Sequence, residues 1–285
     1  MSIDGVLNVL KPPGMTSHDI VDFVRRIYNT KKVGHTGTLD PDAVGVLPLC
    51  IGRATKFSSY LMEHHKRYRF EITFGISTDT LDKSGKIIET GPTPSFSLDE
   101  LRKVINKFKG EIQQIPPIYS AKKVRGKKLY EYARRGEVIE IPPIKVTIYE
   151  LDIVEYRKPN HLLLDVKCSK GTYVRALVRD ICKELGVLGY MSFLIRTESG
   201  DFTLDNSYTI EEIEEGKASI LPVDTFLKLP SVVLDRHSSS RILRGQPVEN
   251  IYNIENSQVK LYDGHRNFIG IGVAEKKRIR VKRLF

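Results

Sequence analysis

An α+β fold with a central mixed or antiparallel sheet is what this sequence predicts. Helix-like and strand-like periodicities alternate along the chain, but without the strict strand–helix–strand rhythm that builds a parallel sheet. The chain has 285 residues, of which 40% are hydrophobic. That length and apolar content predict one large domain, either alone or with a smaller second one.

Helices are predicted where apolar residues recur every three or four positions. The signal is clearest at 97–108, where Ser97 and Glu100 form a capping box and Gly110 marks the end. Thr16 and Asp19 have the same spacing at the start of another helix. The predicted helices are residues 16–28, 54–65, 97–108, 172–185 and 209–215.

Strands are predicted where apolar and polar residues alternate, as they do over residues 67–76. Residues 145–155 and 162–168 form a second pair, joined by a turn at Lys158–Asn160. Near the end of the chain, Asp263 and Gly264 predict a tight hairpin turn, and residues 278–285 predict a final strand.

The composition changes near Pro230, where an acidic helical segment gives way to a basic, strand-rich stretch. We therefore predict a large domain over residues 1–229 and a small one over 230–285. The small unit has enough residues to fold if it docks on the first.

The charge of the chain indicates the class of partner, and its cysteine content indicates the redox compartment. Lys and Arg number 45 against 35 Asp and Glu, which gives a net charge of +10 and favours a polyanion such as nucleic acid. The three cysteines form no C-x-x-C pair, as expected for free thiols in a reducing compartment. No apolar run is long enough to cross a bilayer. We expect a cytoplasmic protein without a membrane span.

The stretch Gly34–Pro48, GHTGTLDPDAVGVLP, contains a first candidate catalytic residue, Asp40. Pro41 pushes Asp40 out of the helical region, and two glycines upstream permit tight turns. Asp40 either caps a short helix or is a carboxylate held in an extended loop. Asp42 is not followed by a proline, so its backbone is not restricted in this way.

Two further residues have both a structural and a functional interpretation. Arg175 falls in the first turn of a helix, where its charge opposes the helix dipole, so it is either solvated or paired with a buried carboxylate. Tyr68 lies on the apolar face of its strand, as a core residue or as a platform for a nucleobase. His35 has no partners at metal-ligand spacing, and neither a nucleophile motif nor a phosphate-binding glycine loop occurs.

Two basic segments suggest an RNA surface, although charge runs are usually just solvated. One spans residues 276–283. The other is flanked by Tyr119 and Tyr130, and its cations are Lys122, Lys123, Arg125, Lys127 and Lys128.

These motifs together resemble one family, the TruB family of bacterial tRNA pseudouridine-55 synthases. The matching blocks follow the family's order and cover most of residues 5–200. They are KPPGMTS from Lys11, GHTGTLDP from Gly34 with GVL from Gly45, KRY from Lys66, QIPPIYSA from Gln114, KKLYEYA from Lys127, GTYVR from Gly171 and LIRT from Leu194.

The resemblance implies a pseudouridine synthase fold whose central sheet is flanked by helices, with a basic insertion around 110–145. It also implies that the small C-terminal domain is a PUA-like RNA-binding unit. In the family, the aspartate matching Asp40 is essential, the tyrosine matching Tyr68 packs on the target base, and the arginine matching Arg175 pairs with the catalytic carboxylate. Tyr68 is also a candidate for removing the proton from the base carbon.

Four more residues match family positions close to the substrate. Tyr173 lies beside the catalytic arginine, and His35 helps to hold the target loop in its flipped state. Lys11 and Arg196 match supporting positions among the substrate- and RNA-binding residues.

The activity implied is the isomerisation of a uridine in the T-loop of tRNA to pseudouridine, on a base flipped out of its stack. Nothing is oxidised and no group enters from outside, so we expect no metal, no nucleotide and no other cofactor. We also expect a monomer whose partner is the tRNA T-arm. Asp40 could act as nucleophile on C1′ or on the base, or as a base on the sugar.

Three alternatives remain at this point. The chain could be an RNA-binding or RNA-chaperone protein without chemistry, a carboxylate-based hydrolase such as a nucleosidase, or a pseudouridine synthase that acts on another RNA.

Overall fold

Helices and strands follow one another irregularly along residues 3–285, the part of the chain that this computed structural model describes. The strands are β1 (Gly5–Lys11), β2 (Val33–His35), β3 (Val44–Ile51), β4 (Lys66–Phe74), β5 (Ile76–Thr78), β6 (Ile87–Thr90), β7 (Gly110–Gln114), β8 (Lys123–Val124), β9 (Lys127–Lys128), β10 (Ile144–Arg157), β11 (His161–Cys168), β12 (Gly189–Ser199), β13 (Phe202–Thr203), β14 (Ser231–Val233), β15 (Val248–Glu249), β16 (Ser257–Tyr262), β17 (Phe268–Ala274) and β18 (Arg278–Leu284). The α-helices are α1 (Ser17–Ile27), α2 (Ser58–Met62), α3 (Leu98–Asn106), α4 (Leu129–Arg134), α5 (Val174–Leu185), α6 (Ile210–Glu214) and α7 (Arg236–Leu243), and Gly52–Phe57 and Val223–Phe226 are 3₁₀ helices.

A mixed sheet forms the centre of the molecule, in the order β1-β3-β12-β4-β11-β10-β7. Strands β3 and β12 run parallel, whereas the other neighbours in this order are antiparallel. Two short strands, β2 and β13, extend the sheet beside β3 and β12. The predicted α+β class with a mixed sheet is confirmed.

Helices cover both halves of this sheet with apolar side chains. Helices α3 and α5 contribute Leu101 and Leu177 to the cluster around β4 and β11. Helix α1 packs Ile20 and Val24 against β1 and β3 in a second cluster. The central sheet is therefore packed against helices through both of these apolar clusters.

A second, five-stranded sheet is formed by the C-terminal residues, in the order β14-β16-β17-β18-β15. Phe268 of this sheet packs against Phe57 and Phe285, with ring centroids 5.5 and 5.4 Å apart. The Tyr60 hydroxyl also donates a hydrogen bond to Gln258 at 2.7 Å. The C-terminal unit is thus joined to the first by both apolar and polar contacts.

The capping signals are confirmed. Reciprocal capping boxes are formed by Thr16 with Asp19, by Ser97 with Glu100 and by Thr209 with Glu212. Helix α5 ends at Gly186, whose φ of 68° is the left-handed conformation that glycine adopts most easily.

Two local predictions are wrong. Residues 54–65 do not form one helix, because the Thr55 and Ser58 hydroxyls bond to carbonyls three residues back and the first turns are 3₁₀. The Asp263–Gly264 hairpin has a five-residue loop instead of a two-residue turn, because the Asp263 carboxylate accepts hydrogen bonds from the backbone of His265 and Asn267. Over residues 3–285, no helix is long and apolar enough to cross a membrane.

Candidate active site

A cleft of about 710 Å³ opens where the Asp40 loop, strand β4, the start of α5 and the basic insertion meet. Its walls are formed by segments that are far apart in the sequence. The residues lining it fall at 36–40, 66 and 68, 120–122, 144–146, 169–175, 194 and 196, with three more from the α2 region.

Asp40 lies in an irregular loop at the cleft, not at the start of a helix. Residues 40–43 form a turn in which the Ala43 N–H donates to the Asp40 carbonyl at 3.1 Å, and β3 begins at Val44. The helix-cap interpretation is therefore wrong, and the carboxylate is free to turn towards α5.

Arg175 contacts the Asp40 carboxylate through two of its nitrogen atoms. Its Nε lies 3.0 Å from Asp40 Oδ2, and its Nη2 donates to Asp40 Oδ1 at 3.1 Å. The Arg175 side chain is 7% exposed, whereas that of Asp40 is 38% exposed at the open side of the cleft. Such a two-point pair fixes both the distance and the plane of the carboxylate.

The rest of the Arg175 guanidinium is also bound. Nη1 donates to the Thr80 carbonyl at 3.2 Å and lies 3.5 Å from Asp82 Oδ2, while Nη2 donates to the Tyr119 carbonyl at 3.0 Å. The solvated-arginine interpretation is therefore wrong.

Opposing effects set the charge on Asp40. Burial raises the pKa of the Asp40 carboxyl, and the nearby Asp82 carboxylate raises it further. The Arg175 guanidinium opposes this rise, as expected for an opposite charge, but burial is the larger effect and the net pKa lies above the ordinary value.

Tyr68 combines both of its interpretations, because it packs in the core cluster and also lines the cleft. It lies on β4 between Val166 of β11 and Arg196 of β12. Burial raises the pKa of its phenol above the ordinary value, an effect that the Arg196 guanidinium opposes. The hydroxyl is therefore protonated at neutral pH.

Tyr173 lines the cleft, whereas His35 does not. Tyr173 directly precedes α5, and its backbone N–H donates to Gln114 Oε1 at 2.8 Å. His35 lies at the end of β2, opposite Leu49 of β3 and one residue before the cleft wall begins at Thr36. Burial lowers the pKa of the His35 imidazole, which favours the neutral ring.

Lys11 and Arg196 are buried beneath the Asp40 loop. Lys11 is 0% exposed, and its Nζ donates to the carbonyls of Pro12, Met15 and Pro41 at 2.6–2.8 Å. Burial lowers the pKa of Lys11 to about 8. Arg196 is 1% exposed and donates to the Val46 carbonyl at 2.7 Å and the Gly37 carbonyl at 3.1 Å. Both cations hold the loop in place, and Arg196 also reaches the cleft wall.

The basic segment forms a hairpin at the cleft entrance. Strands β8 and β9 pair across a tight turn at Arg125 and Gly126, whose φ angles are 48° and 84°. The Lys128 ammonium lies 5.4 Å from the Tyr130 ring, and Lys122 lines the cleft. Lys123, Arg125 and Lys127 are exposed.

Sequence reasoning did not predict Asp82, Gln114 or Lys66 as site residues, although Gln114 and Lys66 begin two of the matching family blocks. Asp82, in a loop, and Gln114, at the end of β7, contact the start of α5 from distant parts of the chain, and no local pattern connects them with it. Lys66 could have been found from its spacing, because it lies two residues before Tyr68 and therefore on the same face of β4. Among residues 3–285, no group of His, Cys, Asp and Glu side chains is arranged to hold a metal ion.

Two parts of this chain match models of known protein families. Residues 25–174 match the TruB family pseudouridylate synthase N-terminal domain, and residues 230–285 match the C-terminal domain of pseudouridine synthase II TruB. The chain belongs to the TruB family of pseudouridylate synthases. It is accordingly an RNA isomerase by family.

Curated relatives of this TruB-family chain share the name tRNA pseudouridine synthase B. The relative from Caldanaerobacter subterraneus subsp. tengcongensis is 75% identical over 100% of both chains. The one from Alkaliphilus oremlandii is 46% identical over 96% of this chain and 94% of its own length. The one from Bacillus subtilis is 45% identical over 87% of this chain and 84% of its own length.

Solved structures with the same fold confirm the architecture. A chain in the crystal structure of a Cbf5-Nop10-Gar1 complex superposes with a TM-score of 0.74 at 24% identity, over 98% of this chain and 84% of that chain. A chain in the structure of an H/ACA RNP bound to a substrate RNA containing 2′-deoxyuridine gives 0.72 at 23% identity, over 99% and 84%. The TruB-family chain thus has a pseudouridine synthase fold with a separate C-terminal β domain.

Proposed function

We propose that this chain converts a uridine in the T-loop of tRNA to pseudouridine, with Asp40 as the essential residue. The observation that carries the proposal is the two-point pair between Asp40 and Arg175, at 3.0 and 3.1 Å, in the cleft that Tyr68 also lines. The shared name of the curated relatives supports tRNA as the substrate.

The chemistry requires a carboxylate that is ionised although it is partly removed from water. Arg175 supplies the charge that stabilises this form of Asp40, and the buried cations Lys11 and Arg196 keep the loop in position. An ionised Asp40 can attack the ribose or the base, or remove a sugar proton, and all three routes detach uracil and rejoin it through its carbon 5.

The target base must leave its stack before Asp40 can reach it. Extrusion costs a few kcal/mol, and stacking on an aromatic ring such as Tyr68 returns roughly 1–3 kcal/mol. Tyr68 is protonated at neutral pH, so it can remove the proton from carbon 5 only if its own hydroxyl proton is first passed to another base or to water.

Phosphate contacts would come from the basic hairpin, and His35 would help to hold the target loop in its flipped state. Lys122 lines the cleft, and Lys123 and Arg125 are exposed on the same hairpin, where they could contact an RNA backbone. We also infer a catalytic unit over residues 1–229, a PUA-like RNA-binding unit over 230–285 and a cytoplasmic location, where tRNA is found. We further propose that the chain acts as a monomer, since Asp40, Tyr68 and Arg175 lie together without a residue from a second copy.

The test is Asp40→Asn, compared with Asp42→Asn at an exposed position two residues away. We expect the first variant to bind tRNA but to form no pseudouridine, and the second to retain activity. Tritium release from tRNA labelled at uridine carbon 5 measures turnover, and mapping of pseudouridine locates the site.

The rival functions give different results in the same assay. Turnover by Asp40→Asn would refute the mechanism, and free uracil as product would indicate a nucleosidase. If the wild type binds tRNA but modifies only another RNA, the family assignment stands and the substrate is wrong.

A further inference from the structure

A buried amide outside the cleft, Gln114 at the end of β7, faces the start of helix α5. Gln114 is 0% exposed, and its Oε1 accepts the hydrogen bond from the Tyr173 backbone N–H at 2.8 Å. Helix α5 has no side-chain cap of its own at Tyr173. Gln114 therefore supplies, from another element, the acceptor for the N-cap N–H that the third helical residue provides in a capping box.

The surroundings of Gln114 fix which way its amide points. Its Nε2 is buried and has no hydrogen-bond partner among the described residues. The reverse orientation would place this NH₂ group against the N–H of Tyr173, donor against donor. A buried donor without a partner costs folding free energy that an apolar side chain of similar size would avoid. The bond to Tyr173 is thus the feature that distinguishes glutamine at this position.

Gln114 begins a segment, residues 114–120, that bonds to α5 at two further points. The Ile115 carbonyl accepts a hydrogen bond from Arg179 Nη2 at 3.1 Å, and the Tyr119 carbonyl accepts one from Arg175 Nη2 at 3.0 Å. Arg175 is the second residue of α5, so the first turn that Gln114 holds is the turn that carries the guanidinium.

We propose that Gln114 is a positioning residue that fixes the first turn of α5 and, through it, the two-point contact between Arg175 and Asp40. The inference deepens the proposed function and rests on it. Gln114 is not among the residues that line the cleft, so its effect on the reaction passes through Tyr173 and Arg175.

The test is Gln114→Met, which keeps the volume of the side chain and removes the acceptor. We expect kcat on tRNA to fall about tenfold, with KM within about twofold of wild type. The acid limb of the kcat/KM profile should also move to higher pH, because a less well aligned Arg175 stabilises the Asp40 carboxylate less. The other charged groups near Asp40, which are Asp82 and Lys11, are unchanged in the variant.

Arg179→Ala is the matched control, because it removes another bond between α5 and the same segment one turn further along. We expect it to keep the wild-type acid limb, so that a general loosening of the segment is distinguished from loss of position at Arg175. Gln114→Glu retains an acceptor oxygen and should recover most of the lost kcat at pH 8. A Gln114→Met enzyme with wild-type kcat and an unmoved acid limb overturns the inference.

Two provisions keep the test decisive. If Gln114→Met does not fold, Gln114→Asn replaces it, since its amide is one methylene too short to reach Tyr173, and wild-type behaviour of that variant overturns the inference. If the wild type forms no pseudouridine, the proposed function fails by itself. The Asp40 carboxyl is then titrated by carbon-13 NMR, and an identical pKa in wild type and Gln114→Met refutes the positioning role.

Discussion

The surroundings of Asp40 partly oppose the ionisation of its carboxyl group. Burial raises the pKa of its carboxyl, and Arg175 holds it down through two contacts at 3.0 and 3.1 Å. The pH at which activity falls on the acid side therefore depends on how well the Arg175 guanidinium is aligned with the Asp40 carboxylate.

Arg175→Lys should move that limb. A lysine keeps the positive charge but replaces the planar fork by a single point, so it stabilises the carboxylate less. The pKa of Asp40 then rises further, the ionised fraction falls at a given acid pH, and the acid limb of kcat/KM moves to higher pH. We expect kcat to fall roughly a hundredfold. Arg179→Lys, which contacts the Ile115 carbonyl, is the control, and an acid limb shared by both variants would contradict the role of Arg175.

Lys11 links stability to alkaline pH. Its pKa is about 8 in the folded protein against 10.5 ordinarily, so the unfolded chain binds more protons between these values. The free energy of unfolding therefore gains a contribution from Lys11 that grows as pH rises from about 8 to about 10.5 and is constant above that range. Lys11→Met should reduce this slope in urea titrations, while the exposed Lys103→Met should not. An unchanged slope in Lys11→Met would show that the ammonium is not desolvated.

At the scale of secondary-structure elements, predictions from sequence succeed where one local interaction decides the structure. Ser97 and Glu100 satisfy each other within a single turn, so the start of α3 can be read from the sequence alone. The single helix predicted over residues 54–65 is wrong because the Thr55 and Ser58 hydroxyls donate to backbone carbonyls, which in an α-helix would accept from backbone N–H groups. The two-residue turn predicted at Asp263 is wrong because the Asp263 carboxylate accepts a hydrogen bond from the Asn267 backbone N–H and so stabilises a longer loop.

The β8–β9 hairpin is the element that should govern the salt dependence of RNA binding. Replacing Lys123, Arg125 and Lys127 by Gln should reduce the slope of log Kd against log salt by about 2–3, if each cation neutralises one phosphate. Fluorescence anisotropy with tRNA at several salt concentrations measures this slope.

A control for that experiment removes three exposed cations elsewhere. Lys103, Lys107 and Lys109 lie on or just after α3, and their replacement by Gln should leave the slope close to that of wild type. Equal slopes in the two triple variants would show that the hairpin is not the RNA contact.

At the scale of the whole molecule, the site is made of contacts between residues that are remote in the chain. Asp40 and Arg175 are 135 positions apart, and only the resemblance to a family connected them before the structure did. The sequence indicated both residue types, but not that Asp82 or the Tyr119 carbonyl would reach the same guanidinium. Such convergence is a property of the sheet order, which no local pattern encodes.

The junction between the two sheets predicts cooperative unfolding. Phe268→Ala should lower the free energy of unfolding by about 2 kcal/mol, because its ring packs between Phe57 and Phe285. We also expect the single thermal transition to broaden or split, since the C-terminal sheet then loses its main apolar contact. Calorimetry measures both effects, with the exposed Tyr149→Ala as control. A single unshifted transition in Phe268→Ala would mean that the polar contacts alone join the two units.

The crowding around Arg175 has a consequence for how uracil is told apart from cytosine. The five N–H groups of the guanidinium face five oxygens of the protein, two on Asp40 and the others on Asp82, Thr80 and Tyr119. Because only the Asp82 contact is as long as 3.5 Å, the guanidinium has at most one donor left for the Watson–Crick edge of a nucleotide. Discrimination between the two pyrimidines therefore depends mainly on the other groups of the cleft, which include the Lys66 and Lys122 side chains as well as hydroxyls and backbone atoms that can favour a carbonyl at position 4 over an amine.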